Sequence, residues 1–365
     1  MQKVIGLITA NYSTKKPCEL AVSRPMASLP YGGRYRTIDF ALSNMVNCGI
    51  RTVGLVMPYN YRSLIDHGDS GKDWMLDRKN GGLFILPGTA FGTSRTGSRF
   101  LIRDLANNRV FIERSKADYI VCSGANMIFN MDFGEIIAEH EASGVDITVL
   151  THTATEPDED IVGFNMDGGG RVTGIRHGVV YGDTEFLDAF VIGREMLQTL
   201  LDWYSSVDYL DLFEALENDY GRVNVREYKF NGYVAPVFNT DSYFHRSMDL
   251  LRPEVDEQLF PSDRWIKTKA HDTPPAKYER GCYVRNSIVS AGSRIYGSVA
   301  DSILGRNVIV ESGATVRNAI VMQDCVIESG ARVENAIVDR RNTIPAGTEL
   351  RGTPESILIK GKEQG

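Results

Sequence analysis

Residues 7–44, LITANYSTKKPCELAVSRPMASLPYGGRYRTIDFALSN, decide the reading of this chain. An apolar segment from Val4 to Ile8 runs into a polar loop. Pro30-Tyr31-Gly32-Gly33 and the basic Arg34-Tyr35-Arg36 follow, and a helical pattern sets in around Asp39. A buried strand passing through a loop into a helix is where α/β proteins hold nucleotide phosphates, because backbone amides and a helix N-terminus converge there.

Working outward, residues 3–9 predict a buried strand. Residues 37–48 predict a helix with Ile38, Leu42, Met45 and Val46 inward and Gly49 past its end, and residues 51–57 predict the next strand. Such a unit needs a right-handed crossover. It recurs as a strand at 119–122, a helix at 135–142 ended by Gly144, and a strand at 146–150. The expected fold class is therefore α/β, with a doubly wound, mostly parallel sheet. Residues 161–193 read instead as short antiparallel strands. The Asp167-Gly168-Gly169-Gly170 run resembles a phosphate loop, but no helical pattern follows it, so it reads as a hairpin turn. Residues 195–219 hold two helical segments, and the proline- and charge-rich residues 252–281 read as a connector.

The last 85 residues repeat. ESGATVRNAIVMQDCVI (311–327) and ESGARVENAIVDRRNTI (328–344) share ESGA and NAIV in register, and PAGTEL from Pro345 starts a third copy. NSIVSAG (286–292) and SAGSRI (290–295) belong to the same series. Short β-branched runs between Gly/Asn turns, stacked every 17–18 residues or so, predict a parallel β-helix of about four coils. The division expected is a nucleotidyltransferase-like domain over 1–250, a connector over 251–280 and a β-helix over 281–365.

Composition bounds the function. A formal charge of −7 argues against nonspecific nucleic-acid or anionic-membrane binding. Cys18, Cys48, Cys122, Cys282 and Cys325 are an odd count without a CxxC pair, which fits reduced thiols better than a disulfide frame or zinc site. The opening MQKVIGLITANYS has too short an apolar run for a signal sequence, and no apolar stretch reaches membrane-spanning length, so a cytoplasmic location is expected.

LPYGGRYRTIDFALSNMVNCGI (29–50) closely resembles glucose-1-phosphate adenylyltransferase, also called ADP-glucose pyrophosphorylase. DWMLDRKNGGLFILP (73–87), Met131 to Phe133, DSYFHRSMDLL (241–251) and RWIKTK (264–269) support the match. The resemblance covers essentially the whole chain and implies a left-handed β-helix that mediates oligomer contacts. It also implies a chemistry in which Mg2+, held by two aspartates, and a glycine-rich loop position ATP while a sugar phosphate attacks its α-phosphorus. Catalysis of that kind is positioning plus charge neutralisation.

The residues that the resemblance requires for this are missing. The glycine-rich loop falls on Asn11-Tyr12-Ser13-Thr14-Lys15-Lys16, where Lys16 alone could stand in for the loop arginine. A family lysine falls on Met26, the first metal aspartate on Asn126 and the second on Pro236. The sugar-phosphate lysine segment is replaced by TGIRHGVV, leaving Arg176 or His177 as an anion contact or as exposed hairpin residues. Losing one preorganised charge-stabilising group costs about 2.7–4 kcal/mol in the transition state, so several losses together leave little catalysis.

The pattern resembles the noncatalytic D-type subunits that pair with a catalytic C-type adenylyltransferase. It implies a regulatory chain without a catalytic or metal set of its own, with Mg2+ serving the catalytic partner, in a heterotetramer or self-associated through the β-helix. ATP or a sugar phosphate stays open as a ligand of Lys16, Arg34, Arg36 and Gly163. An active enzyme with a rearranged metal site, using Asp39 or Asp132, is the alternative. A hexapeptide acyltransferase is disfavoured because all six histidines (67, 140, 152, 177, 245 and 271) precede the β-helix.

Overall fold

The computed structural model describes residues 3–11, 18–89 and 99–362. The Val4–Thr9 strand lies at the centre of a nine-stranded sheet, parallel to Thr52–Met57 on one side and Tyr119–Gly124 on the other. Gly82–Pro87 extends the parallel set as an edge strand. The rest of the sheet is built on Thr184–Gly193, which runs antiparallel to Tyr119–Gly124, to Ile147–Thr153 and to Asp158–Met166. Val225–Lys229 adds a parallel strand beside Ile147–Thr153. The sheet is thus mixed, with its parallel half at the N-terminal strand and its antiparallel half in the 158–193 meander.

Strand alternation divides the core into two layers. Ile5 and Leu7 point into one, with Phe100, Leu105, Ile112, Leu197 and Leu200. Ile8 points into the other, with Ile38, Leu42, Met45 and Val46 of the Thr37–Asn47 helix. A methyl group on Gly6 would sit 2.8 Å from the Met45 sulfur, so the absence of a side chain there lets the helix lie close on the sheet. Gly49, at φ +91°, lets the chain turn after the helix. The Phe133–Ser143 helix starts on the Asp132 cap and ends on Gly144 in the left-handed conformation. Asp167 closes the 158–179 hairpin by accepting from the Gly169 and Arg171 amides, so the glycine run is a turn.

Residues 277–360 form parallel strands wound into a β-helix with its own core, including Ile295, Val310, Val316 and Val333. Thr315 pairs with Arg332 and Arg332 with Glu349, the 17-residue step seen in the repeats. The upstream coil steps by 15, from Tyr283 to Ser298, and the last by 22, from Ala336 to Leu358. Asn318 and Asn335 take left-handed corners, and the Asn318 Nδ2 donates to Asn335 Oδ1 at 2.6 Å.

The segment between sheet and β-helix is not featureless. Pro253–Leu259 is a helix with proline in its first turn and Val255 and Leu259 buried. Beyond it, the chain is pinned along the 37–47 helix, where the Lys267 amide donates to Ser43 Oγ. Leu29, Tyr31, Phe40, Val255 and Leu259 share one apolar cluster with Ile320, Met322 and Ile337 of the β-helix. The sheet region and the β-helix therefore pack against each other through a continuous core. Among the described residues, no helix is long and apolar enough to cross a membrane.

Candidate functional site

Asn11 and Asn126 follow the C-terminal ends of the parallel strands Val4–Thr9 and Tyr119–Gly124, the usual ligand position in such sheets. Asn11 is buried, and its Nδ2 donates to Asp104 Oδ2 at 2.6 Å, while Tyr12 to Lys16 lie outside the described residues. That carboxylate also accepts from the Thr89 amide and hydroxyl. Met26 is buried in the apolar cluster facing the β-helix.

Asn126 and Pro236 are neighbours. Pro236 pairs with Met127 in a two-stranded ladder, and the Val237 amide donates to the Asn126 carbonyl at 2.9 Å. Asn126 is fully buried; its Nδ2 donates to Asp188 Oδ2 at 3.3 Å, while its Oδ1 has no hydrogen-bond partner among the described residues. The same Asp188 oxygen accepts from Arg99 Nε at 3.1 Å. Arg99 Nη2 donates to the Asp160 carbonyl, its guanidinium lies 4.3 Å from the centre of the Phe238 ring, and its Nη1 has no partner among the described residues. Burial pushes the Asp188 carboxyl upward, and the Arg99 guanidinium opposes that shift.

A divalent ion needs hard anionic oxygens. Around Asn126 the neighbours are the Asp188 carboxylate, already paired with the Arg99 guanidinium, and the strand that carries Pro236, and among the described residues no cluster of three or more His, Cys, Asp or Glu side chains could hold a metal. The donor set does not fit Mg2+. Asp39 and Asp132 are committed elsewhere. Asp39 accepts from the Arg36 amide and pairs with His67, and Asp132 caps its helix. Arg176 pairs with Asp183, and His177 faces Glu214 at 3.9 Å. Gly163 lies mid-strand opposite Arg176, where an added Cβ would come within 3.1 Å of the Thr184 carbonyl oxygen.

Arg34 and Arg36 do come together, in a different place. They line a pocket between the 24–36 segment and the β-helix, with Arg24, Lys269, Arg306 and Arg340. His67 and His271 face the same space, and Asp66 is the one carboxylate among the described lining residues. Burial lowers the Arg36 guanidinium to about 10, and the neighbouring Arg340, Arg24 and Arg306 add to that shift while Asp39 opposes it. His271 is held below its ordinary value by burial first, then by Arg306, Lys269, His67 and Arg36. Arg24 is paired with Asp339, but the other five cations gathered here repel one another, and a polyanion would relieve that repulsion through charge-assisted hydrogen bonds. Gly33, at φ +72°, presses on the β-helix: a Cβ there would meet the Leu304 carbonyl at 2.8 Å. The Gly-Gly turn is thus shaped by the β-helix contact and forms part of the pocket lining.

Sequence reasoning reached Arg34 and Arg36 but not their partners Arg306 and Arg340, nor Arg99, Asp160 and Asp188. Those residues lie on separate segments without a shared motif, and the fold alone unites them.

The comparisons with known proteins agree with this architecture. A nucleotidyl transferase family model matches residues 16–175, and a model of the GlmU-like C-terminal hexapeptide matches residues 274–355. A glycogen biosynthesis protein GlgD of Bacillus subtilis is 32% identical over 367 residues, covering 100% of this chain and 97% of that protein. A protein of the same name from Geobacillus stearothermophilus is 32% identical, covering 86% of this chain and 83% of that protein. A glucose-1-phosphate adenylyltransferase of Fervidobacterium nodosum is 28% identical, covering 88% and 79% respectively.

Proposed function

The chain belongs to the family of the glycogen biosynthesis protein GlgD, and we propose that it serves glycogen synthesis as a noncatalytic regulatory subunit. In this reading it assembles with a catalytic glucose-1-phosphate adenylyltransferase and modulates the formation of ADP-glucose from ATP and glucose 1-phosphate. One observation supports the proposal: nucleotidyl transfer needs carboxylates around a metal, whereas the Asn126 amide bonds Asp188, that carboxylate is already paired with Arg99, and Pro236 pairs with the adjoining Met127. Any Mg2+ chemistry then belongs to the partner.

Residues 1–250 are the inactive nucleotidyltransferase-like part, residues 251–280 the connector, and residues 281–365 the β-helix that supplies assembly contacts. The basic pocket between the sheet region and the β-helix is suited to a phosphorylated effector. Binding there would alter the partner only through differential affinity for two states of the assembly.

Sedimentation of this protein mixed with a catalytic adenylyltransferase tests the pairing. A heavier species containing both chains, at the mass of a heterotetramer, is expected in the micromolar range. Two chains sedimenting independently would remove the reading.

A further inference from the structure

The cluster around Asn126 differs from a metal site in a second way, beyond the amide and proline at 126 and 236: it holds a cation of its own. Arg99, Asp188 and Asn126 are 3%, 2% and 0% exposed. Asp188 lies where the 184–193 strand shifts register against Ile147–Thr153, with its backbone left-handed at φ +49°. Bulges of this kind re-aim a side chain, and this carboxylate bonds both Asn126 and Arg99. The guanidinium is further held by the Asp160 carbonyl and the Phe238 ring, and the Asn239 Nδ2 bonds the Asp160 carboxylate at 3.2 Å, closing the cluster. Two polar atoms remain unpartnered in it among the described residues: the Arg99 Nη1 donor and the Asn126 Oδ1 acceptor.

We propose that the Arg99 guanidinium, anchored by Asp188, is a built-in counter-cation that takes the electrostatic place of a divalent metal in this cluster. A carboxylate restored at position 126 would then pair with the free Arg99 Nη1 and recruit no metal. Arg99 acts as a positioning residue that neutralises the buried Asp188 carboxylate. The inference goes further than the noncatalytic reading and is tested by metal binding instead of turnover, so the two fail separately.

The test measures Mn2+ binding by electron paramagnetic resonance on the full chain. Wild type and Asn126→Asp are expected to show no saturable site below 1 mM on the order of. Asn126→Asp combined with Arg99→Gln leaves two carboxylates, at positions 126 and 188, and is expected to bind Mn2+ at least about tenfold more tightly than Asn126→Asp alone. Equal Mn2+ binding with and without Arg99, or a folded double variant that binds none, would overturn the proposal.

A second measurement needs no double variant. The Arg99 Nε–H resonance, assigned by its loss in Arg99→Lys, is expected to exchange slowly in wild type and to shift in Asn126→Asp as the new carboxylate engages the guanidinium. Rapid exchange, or a resonance that Asn126→Asp leaves unmoved, would contradict it.

Discussion

Replacing Arg24 by methionine would test what fastens the β-helix to the sheet region. Arg24 Nη2 lies 3.0 Å from Asp339 Oδ1, with side chains 4% and 10% exposed, and Arg24 Nε also donates to the Leu20 carbonyl. At an effective dielectric constant of about 20, charges 3.0 Å apart attract by roughly 5 kcal/mol, and desolvation of both ions offsets much of that. Arg24→Met strands the Asp339 carboxylate, which typically costs about 3–5 kcal/mol. The Arg340 amide still donates to that carboxylate at 2.7 Å, so the loss belongs near about 3 kcal/mol. Arg24→Met with Asp339→Leu removes both charges beside Ile320 and Met322 and is expected within about 1 kcal/mol of wild type. Urea unfolding followed by circular dichroism reads both variants. An Arg24→Met protein within about 0.5 kcal/mol of wild type, or a double variant as unstable as the single, would refute the reasoning.

His140 is buried against Tyr119, with Nδ1 on the Thr148 hydroxyl, and burial lowers it to about 4. Because the folded protein holds this imidazole neutral while the unfolded chain protonates near pH 6.5, its stability term is present above that pH. It is lost as pH falls toward 4, at about 2 kcal/mol between pH 7.5 and 5; His140→Gln should flatten that slope in urea titrations. Inorganic tripolyphosphate should bind the basic pocket more tightly as pH falls from 8 to 6, because a bound anion raises the lowered His271 and takes up a proton. Calorimetry in two buffers of different ionisation heat reads that uptake. Arg306→Ala should weaken the binding by about tenfold, and affinity independent of both pH and Arg306 would contradict the assignment.

The parts of the molecule differ in how far sequence announces them. The identical ESGA and NAIV blocks state the 17-residue step directly, because each coil repeats the same contacts with its neighbour. The 15- and 22-residue coils at either end lack that identity, so only the structure fixes them. PEVDEQL reads as charged linker, yet Pro253 at the helix start and the i, i+4 pair Val255/Leu259 were the available signal for its helix. Motif spacing singled out Asn126 and Pro236, which the structure brings side by side. Arg99 was not, because its partners Asp188, Asp160 and Phe238 come from three other segments and their pairing depends on a strand bulge. Long-range polar clusters of this sort leave no period in the sequence.

The most direct measurement is pyrophosphate release from ATP and glucose 1-phosphate with Mg2+, run on this protein alone, on a catalytic adenylyltransferase alone and on the two mixed. The account predicts no turnover above background for this protein alone and an altered rate or substrate dependence in the mixture. Robust turnover by this protein alone would contradict it, because among the described residues no cluster of three or more His, Cys, Asp or Glu side chains could hold the metal the reaction uses.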